Sequence, residues 1–285
     1  MLIGELTDRE EEILWLLARL RFLTAPQLAE FVFARSAVTI PSRLAMTQRL
    51  LAGLRRRGLV AMRPRVIGGP EFGEGRPTYH LSADGARLGR TSWPGMPVRR
   101  LRSSGAFLGR HALTCAKVIL AFQRSASVAV DHELVSWECD WQAALPLGPS
   151  VLEPDAYLLY RAQEQRLHAF VEVDMGSEYG RFVSAKMRRY LELHRAGTWR
   201  DRVPVWPVIL FVAQTEARLV QLRRLAESVS RLPDGQWSIA ASFHFATLDS
   251  ATRHRATLDR IWQVVGSVER QALIADRTLE GPTAA

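Results

Sequence analysis

Along the first ninety residues, apolar positions recur at helical spacing. Ile13, Leu16, Leu17 and Leu20 make one stripe, Leu28, Phe31 and Val32 a second, and Leu44, Leu51 and Leu54 a third. The first two stripes begin with capping boxes, Thr7-Asp8-Arg9-Glu10 and Thr24-Ala25-Pro26-Gln27. In each, a hydroxyl and an acid or amide three residues later satisfy the free N–H groups of a first turn. Pro41-Ser42 opens the third helix and Gly58 ends it. Leu59–Arg63 and Pro77–Leu81 then read as strands around a Gly/Pro-rich excursion from Pro64 to Arg76. Three helices followed by a hairpin predict a winged helix-turn-helix domain over residues 1–90.

Residues 91–105 are rich in proline, glycine and arginine and read as a basic linker. The period changes after it. Leu108, Ala112, Cys115, Ile119 and Phe122 form a helical stripe over about 106–125. Strands are expected at Val128–Trp137, Leu152–Tyr160 and Leu167–Asp174, then a helix over 177–195 and a buried strand at Val205–Ala213. A helix over 216–230, a strand at Trp237–Phe245 and an amphipathic helix from Arg255 to about Ala275 complete the second domain, residues 106–275. This order predicts a mixed sheet flanked by helices, an α+β or α/β fold. The final helix presents Leu258, Ile261, Trp262 and Val265, which either pack into the core or form a homodimer surface. Residues 276–285 read as a disordered tail.

Charge sharpens this division. Residues 1–110 hold 18 arginines against 9 acids, whereas residues 111–285 hold 20 basic and 20 acidic side chains, so the whole net charge of +9 lies in the first part. A basic segment joined to a neutral one points to a polyanion, here double-stranded DNA. The outward side of the third helix offers Arg43, Thr47, Gln48, Arg49, Arg55, Arg56 and Arg57, and the hairpin adds Arg63, Arg65 and Arg76. These side chains donate to base edges and phosphates. A winged helix used for protein contacts, with its arginines solvated, is the competing reading. No run of about 18 apolar residues predicts a membrane span. The first residues lack the regions of a signal peptide. Cys115 and Cys139 have no partner motif, and with seven histidines they give no zinc spacing. The expected compartment is the cytoplasm.

The candidate chemistry lies between Leu152 and Lys186. Alternation over 167–174 puts His168, Phe170, Glu172 and Asp174 on one strand face. If the preceding strand pairs so that Asp155 lies beside Glu172, three carboxylates converge. Like charges at close range raise each other's pKa unless a cation sits among them, and oxygen ligands of this kind suit Mg²⁺. The competing reading is a set of solvated or arginine-paired acids. His111, His168 and His194 are expected to be surface histidines.

These motifs carry a family resemblance. Leu54-Arg55-Arg56-Arg57-Gly58-Leu59-Val60 and Tyr79-His80-Leu81-Ser82-Ala83-Asp84-Gly85 resemble bacterial winged-helix regulators, which implies a third helix in the major groove. Pro154-Asp155 and Glu172-Val173-Asp174, in their order of elements, resemble the PD-(D/E)XK nuclease fold. With His111-Ala112-Leu113, Lys186 and Tyr190, the whole arrangement resembles the plasmid replication-relaxation family of mobile elements. The resemblance implies a metal held by Asp155 and Glu172 and a lysine at position 174. Asp174 stands there instead, able to act as a third metal ligand or a base, and Lys186 is the replacement cation. Two functions follow: a Mg²⁺-dependent DNA nuclease of a mobile element, or a non-cutting regulator of transcription or replication whose nuclease-like domain serves dimerisation or partner binding.

Overall fold

The computed structural model describes residues 6–274 apart from 35, 37, 64–75, 94–105, 140–141, 177–179, 232–237 and 239–241. The excursion before Arg76, most of the expected linker and the tail therefore lie outside the described residues, as does Arg65. The described residues combine eight α-helices with a mixed seven-stranded sheet. They divide into two compact units, residues 1–120 and 121–285.

The first unit follows its capping signals. α1 (Asp8–Leu20) and α2 (Ala25–Val32) both start with the complete boxes at Thr7/Glu10 and Thr24/Gln27. α3 spans Ile40–Arg56, and its chain leaves through Gly58 at φ +72°. β1 (Leu23–Thr24), β2 (Val60–Arg63) and β3 (Thr78–Leu81) form an antiparallel sheet in the order β1-β3-β2. α4 (Ala83–Ser92) passes so close to β2 that a Cβ on Gly85 would meet the Leu59 carbonyl oxygen at 2.0 Å. Only glycine fits that approach.

α5 (Ala106–Ser127) runs across the division between the units. In the second unit, β4 (His132–Cys139), β7 (Ala156–Ala162) and β8 (Gln165–Asp174) form an antiparallel meander. Between β4 and β7 lies a hairpin absent from the sequence expectation, β5 (Leu145–Leu147) and β6 (Ser150–Leu152). The strand expected over Leu152–Tyr160 is thus broken at Pro154, which has no N–H to give a ladder. α6 (Gly180–Ala196) and α7 (Glu216–Ser230) are the crossovers that make β8, β9 (Val208–Ala213) and β10 (Phe243–Thr247) parallel. Phe170, Ile209, Phe211, Phe243 and Phe245 of these strands pack against Val183, Met187 and Tyr190 of α6 and Leu219 and Leu222 of α7.

The helix expected from Arg255 to Ala275 does not form. α8 (Leu248–Arg253) precedes it, and the segment then builds β11 (Trp262–Val264) and β12 (Arg270–Gln271), so the sheet reads β12-β11-β10-β9-β8-β7-β4. Gly266 at φ +78° turns the chain between them. Ile261, Trp262 and Val265 are buried, and the Trp262 indole donates to the Ala256 carbonyl at 2.7 Å. Of the two uses expected for these side chains, Ile261, Trp262 and Val265 take core packing, at a sheet edge rather than on a helix.

Candidate functional site

The ends of β7 and β8 bring the acids together through register. Ala156 pairs with Val171, so one step beyond that pair Asp155 lies opposite Glu172. The Asp155 carboxylate also accepts the Val173 N–H at 2.7 Å, which fixes the turn at Pro154 to the neighbouring strand. Glu172 is 3% exposed. One of its oxygens accepts the Tyr190 hydroxyl at 2.5 Å, and the other accepts the Lys186 ammonium. Lys186 and Tyr190 lie four residues apart on α6, one above the other on the helix surface, so a single helix face supplies both partners. Asp155, Glu172 and Lys186 therefore meet.

Asp174 shares the strand face but is engaged elsewhere. Its two oxygens accept Nε and Nη2 of Arg218, each at 2.8 Å, and the Gly176 N–H adds a third bond at 2.8 Å. This bidentate pair, from the first turn of α7, engages both carboxylate oxygens in an ion pair. Arg218 carries no sequence signal, since it lies 44 residues from its partner in an ordinary helix pattern. His168, expected on the surface, is buried, and its Nδ1 lies 2.6 Å from the Tyr157 hydroxyl. Burial, followed by Arg166, lowers its pKa.

Burial raises Glu172 from its ordinary 4.5 to about 7; Lys186 opposes the shift and Asp155 adds to it. The folded chain thus retains a proton that the unfolded chain releases. The stability this contributes is complete below about 4.5 and is lost as pH rises through about 7. Thermal unfolding of the protein and of Glu172→Gln over that window should show the protein losing Tm relative to the variant as pH rises. A relative gain would contradict the assignment. Tyr190 is driven well above its ordinary range, first by burial and then by Glu172, so it remains a donor.

Two carboxylates on neighbouring strands are oxygen ligands of the kind that suit a hard divalent cation. Lys186 supplies positive charge to the buried Glu172 carboxylate.

In the first unit the predicted DNA-facing residues separate into two groups. Gln48, Arg49, Arg55, Arg56 and Arg76 are exposed. Arg55 and Arg56 border an open groove shared with Ala52, Val60, Ala61 and Met62. Thr47 is not on that face: it is fully buried and its hydroxyl donates to the Arg43 carbonyl at 2.9 Å. Position 47 falls on the inward stripe with Leu44, Leu51 and Leu54, so helical spacing itself places it inside. Arg43 donates from Nε to the Val38 carbonyl at 2.6 Å and from Nη2 to that of Ser36, tying down the loop before α3. Arg57 pairs with Glu10 of α1 at 3.2 Å, and Arg63 lies over the Phe22 ring at 4.9 Å.

Among the described residues no helix is long and apolar enough to cross a membrane. No curated protein and no solved structure matches the chain. A model of the replication-relaxation family matches residues 14–209, from α1 into β9. The chain belongs to the replication-relaxation family, which points to a role in the replication or mobilisation of a plasmid or other mobile element.

Proposed function

We propose that the protein binds duplex DNA through a winged helix in its first unit and cuts phosphodiester bonds with Mg²⁺ at the acid centre of its second. The observation that carries this reading is the meeting of Asp155, Glu172 and Lys186 at the ends of β7 and β8. The order α1-β1-α2-α3-β2-β3, with the sheet order β1-β3-β2, supports the winged helix. Its α3 would read the major groove with Gln48, Arg49, Arg55 and Arg56.

In the second unit Asp155 and Glu172 would hold the cation. Bound there, it supplies Lewis acidity to a phosphoryl oxygen and lowers the pKa of a bound water. Tyr190 orients the Glu172 carboxylate through the 2.5 Å bond. Lys186, with side-chain exposure of 28%, reaches both Glu172 and solvent and can oppose the charge that develops on the phosphoryl oxygens. Arg218 anchors Asp174 and with it the end of β8, a positioning role. Incubation of supercoiled plasmid with the protein tests the reading: nicked or linear product in Mg²⁺, and none in chelator, is expected.

A second reading has an observation of its own. Lys186 and Tyr190 already occupy both oxygens of Glu172, and Arg218 both of Asp174, so these two acids are satisfied without a metal. A non-cutting regulator with the same DNA-binding unit would be built this way.

DNA binding has a separate test. Removing both exposed side chains in Arg55→Ala/Arg56→Ala should lower duplex affinity and reduce the slope of log K against log salt by about 2, near 0.9 for each phosphate contact. Gel-shift over a salt series measures it. An unchanged slope would remove α3 from the interface.

A further inference from the structure

We infer that the exposed face of α6 is a stacking platform for an unpaired nucleobase next to the acid centre. The DNA presented there would then be single-stranded or frayed. The inference rests on the nucleic-acid reading of the second unit and adds a substrate class to it.

Phe182 lies in the first turn of α6 and is 54% exposed. The core side of the helix is complete without it, through Val183, Met187, Tyr190 and Leu191. Its ring is covered by its own neighbour, with the Arg181 guanidinium 4.8 Å from the ring centroid. Lys186 follows four residues later and so lies beside Phe182 on the helix surface. Its ammonium reaches Glu172, which places the aromatic ring one helical turn from the acids.

Charge identifies the occupant. α6 carries Arg181, Lys186, Arg188, Arg189 and Arg195 against one acid, Glu192. Arg189 is held by the hairpin, through the Val151 carbonyl at 2.5 Å and the Ser150 hydroxyl at 3.3 Å, while Arg181 and Arg188 are exposed. An apolar partner helix would need several apolar side chains around Phe182, whereas arginine and lysine dominate the face. A strand of phosphates carrying flat bases fits it: every base has a face to stack, and the cations track the backbone. Within a duplex both faces of a base are covered by its neighbours, so only an unpaired or terminal base can meet the ring.

The test uses the full chain in chelator, so that nothing is cut, with a single-stranded oligothymidylate carrying one 2-aminopurine. The protein should quench the probe by stacking. Phe182→Ala should lose most of the quenching and bind the oligonucleotide roughly 5- to 100-fold more weakly. Phe182→Trp should restore both, and duplex affinity should stay the same in all three. Equal quenching and equal single-strand affinity in Phe182→Ala would overturn the platform. The nuclease reading fails separately. Stacking that depends on Phe182 without cutting in Mg²⁺ supports the platform and removes the nuclease. Cutting that needs Asp155 while quenching ignores Phe182 removes the platform alone.

Discussion

Asp155→Asn is expected to reduce Mg²⁺-dependent cutting by about 10²- to 10³-fold, the scale at which loss of one preorganised charge-stabilising group is felt. Duplex affinity should hardly change. The amide is the informative choice, because its oxygen can still accept the Val173 N–H that Asp155 takes at 2.7 Å. Alanine would also remove that bond, worth about 1 kcal/mol, and loosen the junction of β7 and β8. Initial rates on supercoiled plasmid, with gel-shift beside them, separate the two quantities. Loss of binding together with cutting would mean that Asp155 holds structure rather than a cation.

Lys186→Ala is expected to cost about 10²- to 10³-fold in cutting rate, and it carries a second signature. The ammonium is the strongest influence holding the buried Glu172 down, so its removal should move the acidic limb of the pH–rate profile upward. Lys186→Arg should not restore the rate. Its planar guanidinium cannot take the place of a compact ammonium lodged beside Tyr190 on a 3% exposed carboxylate. Rates over roughly pH 6 to 9, a range bracketing the expected shift, measure both effects. Wild-type rates in Lys186→Ala would dismiss the lysine from the chemistry.

Much of the fold follows from local signals. The boxes at Thr7 and Thr24 cap α1 and α2 as their spacing requires. Alternation along β8 correctly puts Glu172 and Phe170 on one face, where α6 supplies Tyr190 to both. The features without a local signal depend on partners remote in the chain. Arg218 meets Asp174 only because α7 follows a parallel crossover, and no spacing rule encodes that. Thr47 differs from its expected place for another reason: its hydroxyl suggests an outward donor, yet the period puts it inside, where the Arg43 carbonyl satisfies it. Leu258, Ile261, Trp262 and Val265 show the limit of periodicity itself. Their spacing suits a helix, but pairing with β10 and the turn at Gly266 settle the segment as strands.

Arginine content alone also overstates the DNA face. Arg43 and Arg57 lie on the third helix or at its end, yet both bind within the protein, to the Val38 carbonyl and to Glu10. Their removal should affect the stability of the first unit more than the salt dependence of its binding. Of the residues expected to face DNA, Gln48, Arg49, Arg55, Arg56 and Arg76 are exposed among the described residues.

Asp155, Glu172 and Lys186 are proposed to form a working metal-dependent centre rather than an internally satisfied one. The most direct measurement is incubation of the full chain with supercoiled, linear and single-stranded DNA in Mg²⁺, in Mn²⁺ and in chelator, with gel-shift on the same samples. Cutting is expected in either metal and not in chelator, with binding in all three conditions. Binding without cutting on every substrate would contradict it and leave the acids as a structural feature of a DNA-binding regulator.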